Sequence, residues 1–396
     1  MAPSLLLLAM ALLAWPLAPG AAAADPSAAT AGEAALVAVR RLAARVAQLE
    51  AAAAPPAPPP SRWQYNVVTD FGAAGDGVRD DTAAVQAGID AAIRAGGRVY
   101  IPRGTYRTTS PLTVNLGSYS VQQAVHIESD WATIKAGAPM EAIVNITTGS
   151  HLTMLRLLLD GDNGTALYGL RAFKVAGSQA MISQVSAVGA RSHGFFLEAC
   201  QVSHWQHLIA QQNGGDGLFC RGCNGASFTH LTARENGGNG IRFEGATVPG
   251  PSGQPEEHSG GAYLSQFSSE QNGLDGVNVG NGNIPPGTMT GMSIRDGWLE
   301  SNHGDGCNIT APNCLLAGLR ITDYMHAGRA VRIGPLAISA VVHGVRAAPN
   351  GVPAAKYDTI LVRLNSSFNS ISYFSIAANY NIEGAHTELA VEFASK

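Results

Sequence analysis

Gln211 to Cys220 reads QQNGGDGLFC, and the chain writes nearly the same turn three more times: RENGGNGIRF from Arg234, EQNGLDGVNV from Glu270 and ESNHGDGCNI from Glu300. Aligned on the Gly after the Asp or Asn, the copies fall at Gly217, Gly240, Gly276 and Gly306, and SHGFFL and LYGLRAF extend the register upstream to Gly194 and Gly169. The intervals are 25, 23, 23, 36 and 30 residues, the longer ones carrying insertions such as Gly245 to Gly261. A period in the twenties with strand-like flanks predicts stacked coils of a solenoid.

One residue after each Gly stand Leu170, Phe195, Leu218, Ile241, Val277 and Cys307, and three after stand Ala172, Leu197, Cys220, Phe243, Val279 and Ile309. Side chains alternate on a strand, so both sets point inward. A second strand repeats upstream, with Trp205, Phe228, Leu264 and Ile294 in one column and Leu208, Leu231, Phe267 and Gly297 in another. Each repeat is therefore one coil of a parallel β-helix. The turn is copied because Asn tolerates and Gly prefers left-handed backbone, and because stacked Asn side chains can bond from rung to rung.

The chain has 396 residues, 46% of them hydrophobic and 14% charged, with a formal net charge of −4. That composition is globular, and it offers no basic field for nucleic acid. Residues 1–24 read as a secretory signal peptide, an apolar run followed by small residues, and the run is too short for a stable membrane span. Residues 25–60 carry a short a/d stripe (Ala35, Val39, Leu42, Val46, Leu49) and then AAAAPPAPPP, a Pro-rich linker. The stripe is either a small self-associating coiled coil or an Ala-rich spacer. The β-helix is expected over 61–350 and capping strands over 351–396. The protein is expected to be secreted, whether extracellular, periplasmic or at the cell surface.

VTDFGAAGDGVRDDTAAVQAGIDAAIRAGGRVYIPRGTYRTT (Val68 to Thr109) predicts a helix begun by Asp80 or Asp81, with Val85, Ile89, Ala92 and Ile93 on one face, stopped by Gly96 and Gly97. Such a helix would cover the open end of the solenoid. This block resembles the opening of the pectate lyase-like superfamily, the right-handed parallel β-helices that include rhamnogalacturonase and epimerase-like proteins and phage tailspikes. The resemblance implies an all-β, single-stranded right-handed parallel β-helix with an N-terminal capping helix. It leaves the chemistry open among hydrolases, lyases, epimerases and non-catalytic glycan binders.

Between the two inward positions lie Arg171, Phe196, Phe219 and Arg242, an outward column on adjacent rungs. Two exposed aromatics flanked by guanidiniums suit a sugar chain, the rings stacking on apolar sugar faces and Arg gripping carboxylates. Two positions on, Glu198, Arg221 and Glu244 form a ladder of alternating charge, which is either part of that groove or a solubilising face. The column before each Gly, with Asp275 and Asp305, is faintly similar to the acids of the polygalacturonase family, and MHAG places His326 after them. Leu274 stands where that family's motif has Thr, Gly306 where it has the second Asp, and no R-I-K follows. A turn also favours Asp before Gly. As catalysts the pair would divide into acid and base through mutual repulsion, with Glu270 and Glu300 as the reserve pair.

Cys200 and Cys223 both sit six residues after a register Gly, so on adjacent rungs they would bond or stack as thiols. The resemblance and the outward column together imply a polysaccharide partner and a hydrolase or lyase acting on a uronate-containing chain, with no required cofactor and calcium only for lyase chemistry. Its rivals are a glycan-binding protein and a structural surface fibre, the latter a homotrimer through the Val39 to Leu49 stripe.

Overall fold

The computed structural model describes residues 63–117, 124–175, 180–249, 255–258, 261–280, 291–322, 328–334, 337 and 339–348, with five short strands between 360 and 390. Residues 1–24, expected to be a signal peptide, the a/d stripe and His326 lie outside the described residues. Among them the chain winds as a parallel β-solenoid of about nine turns. Each rung gives one strand to an eleven-stranded sheet and one long or two short strands to a twenty-stranded sheet. The strands Ile360–Val362 and Tyr380–Ile382 join the first sheet, and Ser370–Ser372, Ser375–Ile376 and Glu388–Ala390 join the second, all in parallel register. The strands expected in 351–396 therefore extend the stack.

The sequence register is the spatial one. Phe195 pairs with Leu170 and Leu218, Ile241 with Leu218 and Val277, and Cys307 with Val277, and every inward residue of both columns is buried. In the larger sheet Trp205, Phe228, Leu264 and Ile294 pair in series and are fully buried. Volume is matched between rungs: Phe267 fills the space where a Cβ on Gly297 of the next rung would fall.

Helix α1 (Thr82–Ala95) buries Val85, Ile89 and Ala92 against the first rungs and ends at Gly96 with φ 61°. Asp80 accepts the Thr82 N–H at 3.0 Å, while the fully buried Asp81 accepts the N–H groups of Ala74 and Gly75 instead. Gln86 projects from α1 onto Thr113 of the edge strand Leu112–Asn115, donating to its C=O at 2.9 Å and accepting its N–H at 2.8 Å. The helix thus supplies the partners that a last strand otherwise lacks.

The repeated turn works differently from the expectation in one respect. The left-handed residue of each copy stands before the Asn, at Gln212, Glu235, Gln271 and Ser301, with φ from 52° to 54°. The Asn side chains instead form a buried ladder, Asn213 donating to Asn236 at 2.9 Å, Asn236 to Asn272 at 2.9 Å and Asn272 to Asn302 at 2.8 Å. The register Gly is required by closeness: a Cβ on Gly217 would lie 2.7 Å from Asn236 Nδ2 and 2.7 Å from the Gly240 carbonyl oxygen.

The expected Cys200–Cys223 bond is corrected. Cys220 and Cys223 form the disulfide, with Cα atoms 6.1 Å apart, because the turn at Gly222 (φ 64°) returns the chain to its own rung. Cys200 remains stacked in register with Cys223, since the next residues, Gln201 and Asn224, pair. Burial pushes the Cys200 thiol up to about 12 and that of Cys314 to about 11, and Cys307 is raised as well. The folded protein should therefore resist alkylation. Unfolding without reductant should expose three alkylatable cysteines and leave a Cys220–Cys223 peptide in mass mapping. A Cys200–Cys223 peptide would contradict this rung geometry.

Candidate functional site

The eleven-stranded sheet brings the outward column together as the register requires: Arg171, Phe196, Phe219, Arg242, Asn278, Asn308 and Arg332 pair in order. Glu198, Arg221 and Glu244 stand beside it in a second column. The exposure expected for the two phenylalanines is corrected, for Phe196 is 8% and Phe219 9% accessible. The Arg221 guanidinium lies 5.7 Å from the Phe196 ring and that of Arg242 4.6 Å from the Phe219 ring, because each long side chain folds back over the rung before it. The rings form a floor, and the guanidiniums face outward above it.

Beside the floor stands a second pair, neither member of which is a carboxylate. Tyr168 and His193 stack with centroids 5.8 Å apart and planes within 5°. Tyr168 also meets Phe196 at 5.0 Å, and His193 meets Phe219 edge-on at 5.2 Å. Both occupy the column just before the register Gly, one position upstream of Gly169 and Gly194. That column continues through Asp216, Asn239, Asp275 and Asp305.

Burial holds the His193 imidazole below its ordinary value, with Asp216 pulling it up and Arg242 pushing it down. Burial also raises the Tyr168 phenol, and Glu141 adds to this. The site thus rests with a neutral imidazole and a protonated phenol at neutral pH. Arg171 lies 3.6 Å from the exposed Glu141, while Arg242 is held by Glu244 and lies 3.7 Å from Asp216. Arg221 pairs with Glu198. Arg171, with its solvent-facing partner, is the cation most easily transferred to an incoming carboxylate.

Asp275 and Asp305 are on neighbouring rungs, and their oxygens serve the backbone. Asp275 Oδ1 accepts the Asp305 N–H at 2.7 Å, and its Oδ2 accepts the amides of Asn278 and Asn308 at 2.7 and 3.0 Å. Asp305, 4% exposed, accepts the Arg329 N–H at 2.7 Å. Burial raises the Asp305 carboxyl, and the charge of Asp275 adds to it. A carboxyl raised in the folded state contributes its full stability only below its unfolded value, roughly pH 4, and loses it as pH rises through the folded value. Asp305→Asn keeps the Oδ1 acceptor and removes the charge. Its melting temperature should equal or exceed that of the wild type at pH 7, with the difference closing toward pH 4; a lower value at pH 7 would mean that the carboxylate's contact with Arg332 outweighs its burial.

The reserve pair Glu270 and Glu300 is in register but on the outer face of the twenty-stranded sheet, with Glu270 bonded to Ser268 and Glu300 accepting from the Trp298 indole at 2.9 Å. It does not share a face with Arg171 and Arg242. His207 and His230 stack at 4.5 Å in the column of left-handed residues with Gln184, Gln266 and Asp296. Asp160 and Asp162 form a turn tied to Lys135. Among the described residues no three His, Cys, Asp or Glu gather as a metal centre, and no helix is long and apolar enough to cross a membrane.

The parallel β-solenoid, with an α-helix against its first rungs, has the fold of the pectate lyase-like right-handed β-helix proteins. Residues 64–252 match the family model described as rhamnogalacturonase A/epimerase, pectate lyase-like. The A-module of the mannuronan C-5 epimerase AlgE4 of Azotobacter vinelandii superposes with a TM-score of 0.58 at 18% identity, over 84% of this chain and 100% of that one. The Dettilon tailspike protein does so with a TM-score of 0.57 at 14% identity, over 84% and 69% of the two chains. These likenesses show the fold. Among curated proteins, mannuronan C5-epimerase AlgE2 of A. vinelandii is 55% identical over 64 residues, 16% of this chain and 6% of that protein. Alginate lyase 7 of the same organism is 38% identical over 120 residues, 29% of this chain and 13% of that protein. The matches thus cover small parts of much longer relatives.

Proposed function

We propose that the protein is a polysaccharide-modifying enzyme that removes the proton from carbon 5 of a uronate residue, completing the reaction as an epimerase or a lyase. The observation that carries this reading is the Tyr168–His193 pair, set beside Arg171 and Arg242 over a ring floor. Carbon 5 of a uronate is acidified by the adjacent carboxylate once that charge is neutralised, which is a role for a guanidinium. The C–H electron pair then spreads into the carboxylate as an enediolate. Reprotonation from the opposite face gives the epimer; expulsion of the carbon-4 oxygen, which takes up a proton, gives an unsaturated sugar and a chain break. His193 and Tyr168 are the groups in the groove able to exchange those protons near neutral pH. The names of the curated relatives, epimerases and a lyase, support the same first step.

The test is incubation of the full chain with mannuronate-, guluronate- and galacturonate-rich polymers in deuterium oxide, with and without calcium. Deuterium at carbon 5, absorbance of unsaturated ends, or both, is the expected result, since epimerisation puts a solvent hydrogen on that carbon and elimination leaves none there. New reducing ends without deuterium or unsaturation would mean hydrolysis and return Asp275 and Asp305 to the centre. Binding without any turnover would leave a glycan-binding protein.

A further inference from the structure

We propose that Asp216 is a positioning residue that decides which nitrogen of His193 carries the proton, allowing one imidazole to act as either acceptor or donor at Nε2. The inference rests on the reading of His193 as a reacting group. Asp216 presents two opposite partners to the same ring atom: its backbone N–H donates to Nδ1 at 3.0 Å, and its carboxylate Oδ2 lies 3.6 Å from that atom.

The two carboxylate oxygens have different occupations. Oδ1 is fully engaged, accepting the Asn239 N–H at 2.7 Å and the Asn239 side-chain amide at 2.8 Å. Oδ2 is buried and accepts no hydrogen bond, on a residue only 3% exposed. A buried carboxylate oxygen without a donor is costly, so it normally finds one. The groups around it are His193 Nδ1 and, 3.7 Å away, Arg242 Nη1. Tyr168, Phe196 and Phe219 close the remaining sides of the ring. Among the described residues nothing bonds Nε2, and the side chain keeps 18% of its surface open.

Two arrangements follow. When Nδ1 accepts the backbone N–H, the ring proton sits on Nε2, which can only donate. When that proton leaves to water and another arrives from water at Nδ1, the ring donates to Oδ2 and Nε2 turns a lone pair to the groove. In the second state Nε2 can take the carbon-5 proton, and the imidazolium that forms keeps its Nδ1–H against the Asp216 carboxylate. Giving that proton from Nε2 to the leaving oxygen in elimination, or to water in epimerisation, where the new proton reaches carbon 5 from the opposite face, restores the neutral ring. The proton gained equals the proton lost, and no other reactant is required.

Asp216→Asn is the informative variant, because its carbonyl oxygen can still accept from Asn239 and its backbone N–H is unchanged, while Oδ2 becomes a donor. Nitrogen-15 imidazole spectra of the full chain, with His193 identified among the 11 histidines by His193→Gln, read tautomer and titration directly. The expected result is a His193 fixed as the Nε2–H form, titrating at lower pH than in the wild type, with kcat reduced roughly a hundredfold or more and KM little changed. Should Asp216→Asn fail to fold, Arg242→Gln gives the opposite displacement, freeing Oδ2 for His193 and moving its titration upward. A tautomer and titration unaffected by either change would overturn the proposal. Spectra that respond as described, in a protein that neither exchanges carbon-5 hydrogen nor forms unsaturated ends, would instead overturn the proposed reaction and leave this coupling standing.

Discussion

Asn236→Ala is expected to destabilise the folded chain by about 3–5 kcal/mol, among the largest effects of any single substitution in the solenoid. The side chain sits at the middle of a buried ladder. Its Oδ1 accepts both the backbone N–H of Asn213, at 3.2 Å, and that residue's amide, at 2.9 Å; its Nδ2 donates to the Ala210 carbonyl at 3.1 Å and to Asn272 at 2.9 Å. Truncation leaves two donors and two acceptors short of a partner where water has little access. Each buried group left unmade costs roughly 1–3 kcal/mol, and a water entering the vacated space would recover part of the total. Asn236→Asp tests the direction of the bonds: it keeps the acceptor, replaces a donor with charge, and should lose stability as pH rises through the carboxyl's titration. Urea unfolding monitored by circular dichroism measures both variants. A change below roughly 1 kcal/mol for Asn236→Ala would mean that the ladder decorates a turn held by backbone bonds alone.

The rungs were legible because an alternating pattern and a recurring Gly are one-dimensional features of a one-dimensional fold. The pairing of Phe195 with Leu218, or of Trp205 with Phe228, could be counted from the sequence. Side-chain direction beyond the first carbon could not. Phe196 and Phe219 do point outward, yet Arg221 and Arg242 lie over them, and a register says nothing about where a long side chain folds. The disulfide failed for a related reason, since Cys223 has a partner both on the rung below and three residues back, and the local turn at Gly222 decides between them. Tyr168 was within reach of the register. It begins the same column as His193 and Asp216, one residue before Gly169, but Asp275 and Asp305 give that column the look of paired carboxylates, and a phenol does not answer to that description.

Tyr168→Phe is the substitution expected to damage turnover most while sparing the fold, lowering kcat by roughly two to four orders of magnitude. The change deletes one hydroxyl and keeps the ring that stacks on His193 at 5.8 Å and meets Phe196 at 5.0 Å. Polysaccharide affinity should stay within about threefold of wild type, because the guanidiniums and the ring floor are untouched. His193→Gln should lose a comparable factor. If phenol and imidazole act on one proton-transfer sequence, the double variant should be scarcely worse than the poorer single one, since groups that work as a unit are not additive. Multiplying losses would instead describe two independent contributions. Asp275→Asn supplies the contrast: its Oδ1 can still accept the Asp305 N–H, so turnover should persist at a large fraction of wild type. Retained activity in Tyr168→Phe together with its loss in Asp275→Asn would reverse the assignment, moving the chemistry four rungs along the same column, from Tyr168 to Asp275 and its neighbour, the carboxylates that here support the backbone.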